Sequence, residues 1–335
     1  MNTATHTPKT RRLSRRLLAA SGALALGVLT ACTPGDGSDT TAQNDTPTVI
    51  ATFTVLADMA QNVGGEHITV ESLTKPGAEI HDYDPTPSDV KKGADTDLIL
   101  ANGLGLEAWF EQFLQDTDAQ SVTVSEGVQT INIAEAESAG KPNPHAWMSP
   151  LVAQTYVDNI ADAFAELDPE NADAFRANAE TYKKQLQAVH DELVADLSTV
   201  PEGKRALVTC EGAFSYLAAD AGLTEKYLWA VNSDGEPSAS RVAEVAVFVE
   251  DNKVPAVFCE STVSSKTMEQ VAQESGSTYA GALYVDSLSE EGGDVPTYLD
   301  LIRYDAETIA EALSKYPRNL PSGAASITSK ETEQR

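Results

Sequence analysis

Basic residues are scarce in this sequence: 23 Lys and Arg stand against 51 Asp and Glu among 335 residues, a formal charge of −28. So much negative charge repels a phosphate backbone, and no basic patch offsets it, so we expect no nucleic-acid partner. Long apolar runs are scarce as well, because the only one lies at the extreme amino terminus. We therefore do not expect an integral membrane protein.

Recognised catalytic motifs are also missing. The chain has no Gly-x-Ser-x-Gly, no phosphate-binding Walker loop, no glycine-rich dinucleotide fingerprint and no His-Glu-x-x-His. A secreted metallohydrolase would need an exchangeable metal-bound water and a neighbouring general base, and no base with suitable spacing stands out. We therefore expect a protein that is not an enzyme, with the metallohydrolase as a weak alternative.

The amino terminus is typical of an export signal. Residues 1–31 carry five basic residues and no acid, followed by the apolar run Leu17 to Ala31. The sequence Leu29-Thr30-Ala31-Cys32 resembles a bacterial lipobox, which predicts a lipid on Cys32 and a site at the extracytoplasmic face of the cell membrane. An ordinary secretion signal with a chance cysteine is the alternative, and the choice between Sec and twin-arginine export stays open. Polar residues 32–47 then predict a flexible tether.

Strand and helix patterns alternate twice along the rest of the chain, which predicts an α/β fold. We expect two lobes, residues 48–167 and 199–318, each with a roughly four-stranded parallel sheet and flanking helices. Between them, apolar residues recur at helical spacing from Pro169 to Leu197 without a glycine, which predicts one long linking helix over residues 168–198. A coiled-coil segment is the alternative for this stretch. The last residues, 319–335, are polar and predicted to be disordered.

Four side chains are candidates for a binding site. His81 and His145 each lie in a proline-bounded loop of the first lobe, where prolines restrict the backbone around an imidazole. Glu211 and Asp286 each follow a predicted strand of the second lobe. Because ligands of open α/β sheets bind beyond the carboxyl ends of strands, these four side chains are expected to meet in the cleft between the lobes.

Five stretches of the chain resemble the metal-binding lipoproteins of bacterial ABC importers for manganese, zinc or iron, the cluster A-I (cluster 9) solute-binding proteins. They run in the family's order: GAEIHDYDPTPSD, NPHAWMSP, TCEGAFSYLAADAGL, FCESTVSSKTMEQVA and YVDSLSEEGG. The first departs slightly, since Ile80 stands where the family often has proline. The resemblance implies His81, His145, Glu211 and Asp286 as metal ligands. It also implies two lobes on one long helix and a membrane permease as the partner; we expect a monomer.

The donor types indicate which metal is carried. Oxygen ligands suit Mn²⁺ or Fe²⁺ better than Zn²⁺, which prefers a tetrahedral nitrogen and sulfur environment. Zinc carriers of the family have a histidine where this chain has Glu211, and often a histidine-rich loop that residues 115–144 lack. We therefore expect Mn²⁺ as cargo, with Fe²⁺ and Zn²⁺ as alternatives. Because family members have been linked to adhesion, a surface adhesin with a structural metal is the alternative of another class.

Two further cysteines remain besides Cys32. Cys210 and Cys259 each immediately precede a carboxylate, Glu211 and Glu260, at the end of a predicted strand. Outside the cytoplasm they can form a disulfide that braces the loop of Glu211 and makes metal retention redox-sensitive. Two buried thiols are an equal alternative, and thiols as metal ligands a weaker one. Glu260 and Glu236 are expected to be ordinary solvated carboxylates.

Overall fold

A computed structural model describes residues 46–114, 119–134, 138–232 and 236–314. The predicted signal peptide 1–31, the predicted lipidation site Cys32 and the predicted tail 319–335 lie outside these residues, as does the predicted tether except for its last two positions. Among the described helices, none is long and apolar enough to cross a membrane.

The first half of the described chain contains a four-stranded parallel sheet in the order β2-β1-β3-β4. Its strands are β1 (Thr48–Ala51), β2 (Thr69–Ser72), β3 (Leu98–Ala101) and β4 (Gln120–Thr123). Its helices are α1 (Thr54–Gly64), α2 (Pro87–Ala94) and α3 (Phe110–Leu114). Strands β1 and β3 are buried almost throughout, as expected for a parallel sheet covered on both faces.

Two helices connect the halves. Helix α4 (Ala153–Leu167) was not predicted, although its buried residues Tyr156, Val157, Ile160 and Phe164 have helical spacing. Helix α5 (Ala172–Leu197) has 26 residues and is about 39 Å long. It is shorter than predicted because Pro169–Asn171 form a separate 3₁₀ turn. The predicted long helix is confirmed, whereas the lobe boundaries placed on either side of it stay a prediction.

The second half also alternates strands and helices. Its strands are β5 (Ala206–Glu211), β6 (Thr224–Trp229), β7 (Ala256–Glu260) and β8 (Thr278–Leu283). Its helices are α6 (Ser215–Ala221), α7 (Ala239–Asn252), α8 (Lys266–Ser275) and α9 (Tyr298–Leu313). The predicted α/β fold with parallel sheets and flanking helices is confirmed.

One detail of the second half differs from the prediction. Its strands form two parallel pairs, β5 with β6 and β7 with β8, instead of one continuous four-stranded sheet. The Cα atoms of Cys210 on β5 and Cys259 on β7 are 4.7 Å apart, about the spacing of neighbouring strands. The two pairs therefore lie side by side, and a disulfide joins them where a continuous ladder was expected.

A single large cluster of buried apolar side chains extends from the first half through α4 and α5 into the second half. Helix α5 contributes a buried stripe that includes Phe175, Tyr182, Leu186 and Leu193. This packing fixes the loops at the carboxyl ends of the strands relative to one another. Those loops carry the candidate metal ligands.

Candidate metal centre

His81 lies in the loop between β2 and α2 and is 6% exposed. The indole Nε1 of Trp109 donates to the carbonyl of the preceding residue, Ile80, at 3.0 Å. The loop is also tied to the second half, since the backbone N–H of Gly77 donates to Ser287 Oγ at 2.6 Å. These contacts hold the imidazole of His81 at the junction of the two halves.

His145 lies in the Asn143-Pro144-His145 segment and is fully buried. Asn143 Oδ1 accepts from the backbone N–H of His145 at 3.0 Å and lies 2.9 Å from its Nδ1. Asn143 Nδ2 donates to the carbonyl of Gly212 at 2.6 Å, which ties this loop to the residue after Glu211. The contacts of Asn143 direct Nε2 of His145 into the site.

The two carboxylates come from the second half, and both are fully buried. Glu211 is the last residue of β5, and its Oε1 accepts from the backbone N–H of Asn232 at 2.7 Å. Asp286 was expected directly after a strand ending at Val285, but β8 ends at Leu283 and two residues separate the strand from Asp286. The shift leaves the Asp286 carboxylate at the same carboxyl end of the sheet.

The structure brings all four predicted side chains together, with one potential ligand atom from each within 4.8 Å of the others. The Nε2 atoms of His81 and His145 are 3.1 Å apart, and Glu211 Oε1 lies 3.2 Å from the first and 3.5 Å from the second. His145 Nε2 lies 3.9 Å from Asp286 Oδ1. Donors bound to one tetrahedral ion at about 2.1 Å are about 3.4 Å apart. The arrangement therefore fits a single cation.

Burial governs the protonation of this site. It lowers the pKa of His145 well below 6.5, and the neighbouring His81 lowers it further, so that the imidazole is neutral and can donate a lone pair. Burial raises the pKa of Asp286 well above 3.8, and the Glu211 carboxylate adds repulsion. Asp286 Oδ1 has no hydrogen-bond partner among the described residues. A cation would supply the positive charge that these buried carboxylates need as a partner.

Glu260 was expected to be solvated, and that prediction is wrong. It is 1% exposed, at the end of β7, and its Oε2 accepts the backbone N–H of Glu211 at 3.0 Å. Burial, with Glu211 adding repulsion, raises its pKa well above 4.5. The buried apolar run of β7 was the available signal, because a residue that continues such a strand shares its burial. Glu236 is exposed, as expected.

Cys210 and Cys259 form a disulfide next to this site. Each cysteine precedes a buried carboxylate, so the disulfide joins the strand of Glu211 to the strand of Glu260. Asn232 and Glu79 also contact the site and were not singled out from the sequence. Glu79 lies within the motif around His81, whereas no pattern pointed to Asn232.

Comparison with known proteins gives concordant matches. The profile of the family described as "Zinc-uptake complex component A periplasmic" matches residues 49–312. The iron-binding protein YfeA of Yersinia pestis is 47% identical over 268 residues, covering 80% of this chain and 86% of its own. The manganese ABC transporter substrate-binding lipoprotein PsaA of Streptococcus anginosus is 31% identical, covering 87% and 96%.

A solved structure has the same fold. It is the Mn-bound periplasmic metal binding protein of Candidatus Liberibacter asiaticus, with a TM-score of 0.75 and 37% sequence identity. The match covers 80% of this chain and all of that chain.

Proposed function

Because this chain belongs to the zinc-uptake component A family, the metal-binding substrate-binding proteins of bacterial ABC importers, we propose that it captures Mn²⁺ and delivers it to a membrane permease. Members of this family bind and present a metal, and the chain is not an enzyme. The proposal concerns which residues bind the metal, which metal is carried and where the protein is anchored.

The observation that carries the proposal is the convergence of four buried donors from four separate segments of the chain. His81, His145, Glu211 and Asp286 are far apart in sequence, yet their donor atoms lie within 4.8 Å of one another. Burying two carboxylates beside each other is costly unless a cation or protons compensate their charge. Four protein ligands around one ion leave little room in its coordination shell for water or a reactant. This suits a carrier, which has to hold the ion and not to catalyse a reaction on it. We assign these four residues as the ligands.

The choice of Mn²⁺ rests on the two carboxylates. Each of Glu211 and Asp286 can offer one or two oxygens, and oxygen-rich coordination suits Mn²⁺ better than Zn²⁺. PsaA of Streptococcus anginosus, which covers 87% of this chain, is named as a manganese protein.

Fe²⁺ is the second candidate. YfeA of Yersinia pestis, 47% identical to this chain, is named as an iron-binding protein. Fe²⁺ follows Mn²⁺ in the order of divalent affinities and accepts the same nitrogen and oxygen donors. The donor set alone therefore does not separate the two ions, and the experiment below includes both.

Anchoring completes the proposed function. A lipid on Cys32 would hold the protein at the extracytoplasmic face of the membrane, within reach of the permease. The streptococcal relative is named as a lipoprotein. Replacing Cys32 by serine is expected to move the protein from the membrane fraction to the soluble fraction, and an unchanged membrane fraction would contradict lipid anchoring.

The test is metal content and competition on protein lacking residues 1–32. Wild type is expected to hold one equivalent of metal and to retain Mn²⁺ or Fe²⁺ in equilibrium with Zn²⁺. Glu211→His adds a nitrogen donor and is expected to shift the balance to Zn²⁺, whereas Glu236→Gln at an exposed position is expected to leave it unchanged. If wild type binds no divalent cation, the four-ligand site is wrong. If it binds only Zn²⁺, the cargo assignment is wrong.

A further inference from the structure

The side chain of Asn232 lies between the two carboxylate ligands and the loop of His81. Its Nδ2 donates to Glu79 Oε2 at 2.7 Å and lies 3.5 Å from Asp286 Oδ2. Its backbone N–H donates to Glu211 Oε1 at 2.7 Å. A single residue that is not itself a ligand therefore contacts both carboxylate ligands and the loop of the first half.

The indole of Trp229 fixes the orientation of the Asn232 amide. Trp229 Nε1 can only donate, and it lies 3.0 Å from Asn232 Oδ1. Because the amide oxygen accepts this bond, the amide nitrogen must face Glu79 and Asp286. The hydrogen-bonding network thus determines which end of the amide faces the site.

Glu79 extends this contact to a histidine ligand. While its Oε2 accepts from Asn232, its Oε1 accepts the backbone N–H of His81 at 3.0 Å. The chain of hydrogen bonds therefore runs from His81 through Glu79 and Asn232 to Glu211. It joins ligands of opposite halves by a route outside the four donors.

Repulsion between carboxylates explains why the His81 loop needs the Asn232 amide. Glu79, Glu211 and Asp286 bring three carboxylates to one place, and like charges at this range repel. The Asn232 amide donates toward two of them, so it holds Glu79 where repulsion would otherwise displace the His81 loop. The loop is also tied to the second half by the hydrogen bond from Gly77 to Ser287, which involves no charged group.

We propose that Glu79 and Asn232, hereafter the Glu79–Asn232 bridge, are positioning residues that hold the His81 loop against the carboxylate ligands and slow the release of the bound cation. The inference rests on the proposed function, because it assumes a cation at the four donors. The hydrogen bond between Glu79 and Asn232, neither of which is a ligand, then contributes to retention of that cation. Breaking the bridge frees the His81 loop to move away, so the cation leaves faster.

The experiment measures Mn²⁺ dissociation from the full-length protein by stopped-flow mixing with excess chelator. Glu79→Gln leaves one side-chain oxygen to serve two donors, and Asn232→Asp replaces the donor by a like charge. Each is expected to accelerate dissociation about 10- to 100-fold, the usual effect of losing a partner of a metal ligand. Glu236→Gln is the matched control, because it removes the same charge as Glu79→Gln. Glu236 is exposed and lines the same 500 Å³ cavity as Asn232 and Trp229. The rate of this variant is expected to equal that of wild type.

The double variant Glu79→Gln with Asn232→Asp tests the bridge itself. It exchanges donor and acceptor, keeps the net charge, and leaves an oxygen for Trp229 and another for the His81 N–H. Dissociation is expected to be slower than from Asn232→Asp alone, because the amide of Glu79→Gln donates to the new carboxylate, and not fully restored, because that carboxylate still faces Asp286 Oδ2. General destabilisation would not produce this recovery. Circular dichroism checks folding. If a single variant fails to fold, Trp229→Phe replaces it; this change removes the indole N–H that fixes Asn232, together with part of the ring, and is also expected to accelerate dissociation.

Two results would overturn the bridge while leaving the carrier intact: wild type binds Mn²⁺ but Glu79→Gln releases it no faster than Glu236→Gln, or the double variant is as fast as the faster single variant. Wild type that binds neither Mn²⁺ nor Zn²⁺ would instead overturn the proposed function. The two failures are therefore distinguishable within one series.

Discussion

The side-chain oxygen of Asn143 accepts a hydrogen bond from Nδ1 of His145 at 2.9 Å. The orientation of the amide is fixed, because its nitrogen donates to Gly212 and its oxygen also accepts the backbone N–H of His145. Nδ1 therefore carries the proton, and the lone pair of Nε2 points toward the other three donors. A residue beside the histidine thus sets the tautomer that a metal requires.

Replacing Asn143 by alanine tests this relationship. The variant loses the acceptor that fixes His145, so we expect its Mn²⁺ affinity to fall about 10- to 100-fold in isothermal titration calorimetry. Asn159→Ala is the control, since Asn159 also donates to two backbone carbonyls, those of Val124 and Glu126, but does not contact the site. Equal affinities for the two variants would refute a role for Asn143 in orienting the ligand.

The disulfide between Cys210 and Cys259 is expected to stabilise the fold. It closes a loop with a sequence separation of 49 residues, for which the chain-entropy estimate is about 4 kcal/mol of unfolding free energy. Replacing both cysteines by serine should lower the denaturation midpoint in urea accordingly. We also expect the reduced protein to lose Mn²⁺ faster, because the disulfide joins the strands of Glu211 and Glu260.

Mass spectrometry of the unreduced protein after alkylation checks the bond directly. Neither Cys210 nor Cys259 should be modified. Detection of both alkylated thiols in the folded protein would contradict the disulfide and the redox dependence drawn from it.

Helix α5 provides a stability test with an internal control. Leu186 is fully buried in the stripe that faces the core, whereas Val194 is 39% exposed on the same helix. Leu186→Ala is expected to lower the unfolding free energy by about 2 to 5 kcal/mol, through lost burial and the cavity that remains. Val194→Ala should change it by less than about 0.5 kcal/mol. Similar losses in chemical denaturation would mean that the helix does not present one face to the core.

Asp305 on α9 predicts a pH dependence of stability. It is 1% exposed and accepts the backbone N–H of Tyr284, but burial raises its pKa well above 3.8. Because the folded pKa exceeds the unfolded pKa, the ionised carboxylate destabilises the fold at high pH, and this cost is relieved as pH falls through the folded value. Asp305→Asn should therefore raise the melting temperature most at mildly alkaline pH and progressively less on acidification.

Glu307→Gln is the matched variant for Asp305, because it removes one negative charge from an exposed position of the same helix. Its melting temperature should follow that of wild type at every pH. A gain for Asp305→Asn that is independent of pH would show that titration of this carboxyl is not the cause.

Local patterns in the sequence predicted much of the fold. Strand runs such as Ala256–Glu260 and the helical spacing of Phe175, Tyr182 and Leu186 depend on neighbours along the chain, so they can be recognised without the tertiary structure. The α/β class and the long helix followed from them. The ligand set was predicted from the motifs of a known family together with strand-end positions.

The remaining features depend on contacts between distant segments. Helix α4 was missed although its spacing was present, and the second half has two strand pairs where one sheet was expected. The sequence predicts a solvated Glu260, because a carboxylate at a strand end is usually exposed. Glu260 is buried because it lies beside the neighbouring strand β5. Its Oε2 accepts a hydrogen bond from the backbone N–H of Glu211 on that strand.

Short stretches of the chain specify which residue types are available for a metal and which segments become strands and helices, because both are local properties. Folding is required to bring Asn232 to Glu79, 153 positions away, and Asn143 to Gly212, 69 positions away. Packing around α5 sets those distances. Glu79 and Asn143 lie within motifs that the sequence shows, but no local pattern indicates which distant residue each of them contacts; the folded core defines that pairing.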